Sequence, residues 1–132
     1  MVRKKRSAQE SETAVVEEPV AVEEEQTSAN LRANLEEISK YDGIIGYILR
    51  NTTSATIDVK DPAKIVDYAI LSSSAFDAGK EFSELFDLGS VKNIVVEGED
   101  VKVLSLGLGE NRVSVFMEKK ADCDKVLRKL QV

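Results

Sequence analysis

Three consecutive serines, Ser72-Ser73-Ser74, stand in the stretch ILSSSAFDAGKEF (residues 70–82) and are the first candidates for chemistry. A serine hydroxyl becomes a nucleophile only when a neighbouring base takes its proton. The chain contains no histidine, which removes Ser-His and Cys-His pairs and most catalytic zinc sets together. Lysine is the remaining base. Lys80 follows Ser72 by two helical turns, roughly 12 Å at 1.5 Å per residue, too far for an activating hydrogen bond within one helix. The same serines, with Ala75, Ala78 and Gly79, have a mechanical consequence instead: they thin one helix face and let another element come close. Whether that element is this chain's own sheet or a partner is open at the level of sequence.

The other chemical candidates are weaker. LGLGENR (106–112) contains Gly-x-Gly but lies between two strand-like segments and lacks the following helix and lysine of a phosphate loop, so it reads as a hairpin turn. Asp122-Cys123-Asp124 diverge around a helix, and both aspartates read as capping residues. Glu97, Glu99 and Asp100 make an acidic turn without the repeated oxygen ligands of a calcium loop. No carboxylate pair is spaced for acid–base work. The expectation is no enzyme, no catalytic residue, no cofactor and no metal.

The 132 residues are 42% hydrophobic and 32% charged, the balance of a soluble globular chain with room for one domain. No apolar run approaches the roughly 20 residues of a membrane span, so stable membrane insertion is not expected. The basic N-terminus has no apolar segment behind it, unlike a secretory signal. Cys123 is the single cysteine; no internal disulfide can form, and a cytoplasmic location is the simplest expectation. A net charge of −6 argues against nucleic acid as the main partner, since phosphate binding needs concentrated Lys and Arg. Arg3 to Arg6 form a basic knot, followed by Glu10, Glu12, Glu17, Glu18 and Glu23-Glu24-Glu25. So charged a segment buries too little apolar surface to offset its ordering entropy, so residues 1–26 are expected as a disordered charged tail and 27–132 as the folded domain. The tail's basic knot leaves a nucleic-acid or membrane adaptor as a competing reading.

The elements follow from periodicity. After Thr27-Ser28, either able to cap a helix, Leu31, Leu35 and Ile38 form one apolar stripe that ends near Asp42-Gly43. GIIGYILR (43–50) reads as a central strand and ATIDVK (55–60) as its hairpin partner, joined by Asn51-Thr52-Thr53-Ser54. Asp61-Pro62 opens a long helix that keeps a 3.6-residue period to Leu88, with Gly89 expected to close it. VKNIVVEG (91–98), VKVLSLGL (101–108) and NRVSVFMEK (111–119) read as three strands joined by hairpin turns. The apolar phase slips between Val103 and Leu104, the mark of a bulge or of a strand buried on both faces. A short helix from Asp122 closes the chain. The order α-β-β-α-β-β-β-α predicts an α/β sandwich, in layering an α+β fold, on a five-stranded, mostly antiparallel sheet. Two exposed edge strands make dimerisation a reasonable expectation.

From about Leu31 to Leu130 the chain resembles the Roadblock family, the dynein light chain and GTPase-regulator superfamily. The resemblance is carried by the strand Gly43-Ile44-Ile45-Gly46-Tyr47-Ile48, the long helix from Asp61 to Leu88, and VKVLSLGLGENRVSVFMEKKADCDKVLRKL. It departs at Asn51-Thr52-Thr53-Ser54, where the family often has Asp-Gly, and within Ala121-Asp122-Cys123-Asp124, where a glycine is common. The resemblance implies profilin-like layering and a homodimer or heterodimer in which long helices pack together and strands join two sheets. It places Ser72, Ala75, Phe76, Gly79, Phe82 and Ser83 at the helix pair and Val91, Ile94 and Val95 at the strand junction. It also implies a non-catalytic platform that binds and regulates a small Ras-like GTPase. The alternative is a scaffold subunit of a larger motor or signalling complex with no effect on GTP hydrolysis.

Overall fold

The structure is a computed structural model and describes residues 3–4, 13–17 and 22–131. Among the described residues seven strands form one sheet: β1 (Arg3–Lys4), β2 (Thr13–Glu17), β3 (Ile44–Arg50), β4 (Ala55–Val59), β5 (Asn93–Glu97), β6 (Val101–Leu108) and β7 (Asn111–Glu118). Their order is β1-β2-β4-β3-β7-β6-β5, with every pairing antiparallel. The last five are the five expected strands. Helices α1 (Val22–Ile38) and α3 (Cys123–Leu130) cover one face, and α2 (Ile65–Phe86) covers the other.

Strand alternation builds this sandwich. Tyr47 and Leu49 of β3, Val113, Val115 and Met117 of β7, and Leu104 and Leu106 of β6 turn to the face where Leu31, Leu35 and Ile38 of α1 and Val126 and Leu130 of α3 pack. Ile48, Val103 and Phe116 turn to the opposite face, under α2. The phase slip in β6 is not a bulge. Its ladder to β5 and β7 is unbroken, and Val103 through Leu106 are buried on both faces. The sheet's irregularity lies instead between Ile44 and Gly46 on β3. A Cβ at Gly46 would stand 2.4 Å from the Asp58 carbonyl oxygen, so the strands approach there only because the residue is glycine.

The turns follow their residue types. Asn51 Oδ1 accepts from the backbone N–H of Thr53 (2.9 Å) and Ser54 (2.7 Å), an Asx turn in place of Asp-Gly. Gly109, at φ +63°, turns LGLGENR between β6 and β7, as the sequence predicts. Asp61 Oδ1 accepts from the N–H of Ala63 and starts a 3-10 turn, Pro62–Lys64, that leads into α2. Asp122 caps α3 by accepting from the N–H of Lys125.

Three expectations are corrected. Helix α2 closes at Asp87 rather than Gly89: Asp87 takes the left-handed conformation (φ 56°) and its N–H bonds the Ser83 carbonyl, a role short polar residues tolerate next after glycine. Helix α1 begins at Val22, five residues before Thr27, the first of the two residues expected to cap it. The expected tail, 1–26, lies largely outside the described residues, and its described parts run as β1, β2 and the start of α1. Because β2 lies along β4, one of the two edges expected to be open is covered. The other, β5, is paired only with β6 among the described residues.

Candidate interaction face of α2 and β5

Helix α2 crosses the sheet from β7 to the β5 edge. At its start Tyr68 stacks on Phe116, ring centroids 4.5 Å apart and 16° from parallel. One turn on, Ser72 Oγ is 2.6 Å from Ser114 Oγ, which is 2.8 Å from Ser105 Oγ. All three hydroxyls are buried and satisfy one another. Ala75 and Gly79 continue this stripe at three- and four-residue steps, both buried. A Cβ at Gly79 would meet Ile94 Cδ1 of β5 at 2.7 Å. The small residues thus let α2 lie close on this chain's own sheet.

The residues expected at the interface differ in their placement on this chain. Ser72, Ala75 and Gly79 face inward and are not available to a partner. Phe76, Ser83, Val91 and Ile94 are half-buried around a cavity of about 370 Å³ between α2 and β5–β6, beside Ala75 and Gly79. The Arg112 guanidinium lies 5.5 Å from the Phe76 ring centroid, a cation–π contact that closes one side of this cavity. The Ser83 hydroxyl donates to the Gly89 carbonyl and helps fasten the helix end. Phe82 and Val95, by contrast, are open at 50% and 47% exposure.

Beyond Gly79 the helix has passed the last strand, and its apolar residues lose their floor. Leu85, Phe86 and Leu88 are exposed with Phe82, and the Phe82 and Phe86 rings stand 6.4 Å apart. On β5, Val95 and Val96 are exposed on opposite faces of a strand whose outer side pairs with nothing among the described residues. Lys80, Glu81, Glu84 and Lys92, exposed as well, stand among these apolar residues in sequence, a mixture of apolar and charged side chains typical of a binding surface. Val66 and Ile70, farther up α2, are also exposed. Leu85, Phe86, Leu88 and Val96 are not among the interface residues expected from the sequence. The signal was present: Leu85 and Leu88 lie off the core stripe, and Phe86 extends it past the width of the sheet.

Nothing at this face supplies an activated nucleophile. Ser72 bonds serine hydroxyls, and Ser73 Oγ accepts from Arg50 Nη2 at 3.2 Å. Among the described residues no group of three His, Cys, Asp or Glu is placed to hold a metal, and no helix is long and apolar enough to cross a membrane.

No family model matches the chain, and no curated protein matches it by sequence. Solved structures do match. A gliding protein, MglB, from Thermus thermophilus aligns with TM-score 0.62 and 15% identity over 87% of each chain. A Roadblock/LC7 domain from Streptomyces avermitilis aligns with TM-score 0.61 and 16% identity, over 78% of this chain and 87% of that one. Myxococcus xanthus MglB gives 0.59 and 14%, over 76% and 85%. With its antiparallel sheet between two helices and one long helix, this chain has the Roadblock/LC7 fold.

Proposed function

We propose that this chain is a non-catalytic platform that self-associates through β5 and the end of α2, and that the dimer binds and regulates a small Ras-like GTPase in the cytoplasm. The observation that carries the reading is the exposed apolar end of α2 beside an open strand edge. A second copy related by a two-fold axis covers both at once: two β5 edges pair antiparallel, and the overhanging Phe82 and Phe86 of each α2 cross the joint. A solved MglB of the same fold is described in a tetrameric arrangement, so self-association occurs within this fold. The GTPase as partner rests on the resemblance of the sequence to Roadblock GTPase regulators. Such a platform needs no catalytic group. It changes turnover by binding one arrangement of the GTPase switch regions better than another, and about 1.4 kcal/mol of differential affinity shifts that equilibrium tenfold.

The test is GTP turnover and nucleotide exchange of Ras-like GTPases from the same cell, with and without saturating protein. The reading predicts binding that depends on the bound nucleotide and a change in one of the two rates. Binding with both rates unchanged would establish the scaffold alternative; no binding to any of them would refute the GTPase as partner.

A further inference from the structure

We propose that the outer edge of β4 is a strand-accepting surface, and that this chain's own segment Thr13–Glu17 occupies it as a displaceable strand. The two edges of the five-stranded core are treated differently. At β4 the backbone of β2 runs antiparallel in the register Thr13↔Asp58, Ala14↔Ile57, Val15↔Thr56 and Val16↔Ala55. Outside it comes only a two-residue strand, with Arg3 opposite Glu17 and Lys4 opposite Val16. An outermost strand so short and basic is a poor template for further pairing. The β4 edge is therefore satisfied from within the chain, while β5 is left for another.

The energetics make this cover displaceable. Fixing the backbone of the five residues of β2 costs conformational entropy of the same order as the modest net gain from the ladder hydrogen bonds. A narrow strand pair of this kind is close to balance on its own. What holds it is attachment: only residues 18–21 separate β2 from α1, which gives the strand a high effective concentration at β4. An extended segment of similar β-branched, apolar character, on another chain or another copy, competes for the same edge by strand addition.

The experiment uses a chain lacking residues 1–20, which retains α1, and a peptide of residues 11–19, SETAVVEEP, as the probe. Those amides of Ala55–Val59 that point away from β3 are expected to exchange at least tenfold faster in the shortened chain, and saturating peptide to restore their protection. The full chain is expected to bind the peptide at least tenfold more weakly than the shortened one. Unchanged β4 exchange on shortening, or no peptide binding to the shortened chain, would overturn the proposal. Should the shortened chain fail to fold, the full chain carrying Ala14→Pro and Val15→Pro decides: faster exchange confined to β4, with β6 and β7 unaffected, supports it, and unchanged β4 exchange overturns it. Neither readout depends on β5 pairing or on a GTPase.

Discussion

Replacing Ser114 by alanine tests the contact between α2 and the sheet at its most polar point. Ser114 Oγ is the middle member of a buried chain, 2.6 Å from Ser72 Oγ and 2.8 Å from Ser105 Oγ. Its loss strands both neighbours. A buried hydroxyl without a partner costs about 1–3 kcal/mol, but Ser72 lies on a helix and can turn its hydroxyl to a carbonyl one turn back, which softens its share. Ser105, on a strand, has no such fallback. The expected cost is about 2–3 kcal/mol, or on the order of 10 °C in Tm for a domain of this size. Converting all three serines to alanine removes donors and acceptors together and leaves groups of nearly the same shape, so the triple variant is expected within about 1 kcal/mol of the parent. Urea unfolding at fixed protein concentration, followed by circular dichroism, measures both. A triple variant that loses as much as the single one, or a harmless Ser114→Ala, would refute the claim that the hydroxyls satisfy one another.

At Gly79, alanine gains about 1 kcal/mol of helix propensity but presses on Ile94 Cδ1, the movable end of a side chain. It is expected to be near neutral by urea unfolding, whereas Gly79→Leu overpacks the contact and loses about 1–3 kcal/mol. Tyr47 is buried, and burial, helped by Asp58 and Glu36, pushes its phenol up to about 12. The folded state holds that proton above the unfolded value of 10, so this contribution to stability is full below pH 10 and is lost as pH rises toward 12. Urea midpoints measured from about pH 9 to 12, with and without Tyr47→Phe, check it: the mutant's profile should fall less steeply. Asn51→Ala removes an acceptor for two backbone N–H groups and is expected to cost about 1–2 kcal/mol by the same assay.

Element order, hairpins and helix caps were legible because they depend on short-range chemistry: the period of apolar residues, the aspartates at 61 and 122, and Gly109 in a two-residue turn. The end of α2 was misplaced because Asp87 fills a left-handed position that glycine usually takes. Of the two readings of the slip at Val103–Leu104, the strand buried on both faces holds, and a pattern along one strand does not distinguish it from a bulge. The role of the small-residue stripe was half legible for a geometric reason. A stripe of Ser72, Ala75 and Gly79 says that something approaches closely, and only the breadth of the sheet decides what. The strands reach as far as Gly79, which rests on Ile94 of β5, so the small residues serve the fold and the phenylalanines after them are left open. Strand β2 was illegible because the segment's charge argued for a tail while its pairing depends on an edge about 40 residues away in sequence.

The most direct test of this account is the solution mass of the chain by sedimentation equilibrium, beside that of Phe86→Glu. Phe86 is 66% exposed and touches no core cluster, so its substitution leaves the fold intact. Twice the 14.5 kDa chain mass is expected for the parent at micromolar concentration, and a shift toward a single chain for the variant. A single-chain mass for the parent even at roughly 100-fold higher concentration, or a variant that keeps the doubled mass, would contradict it.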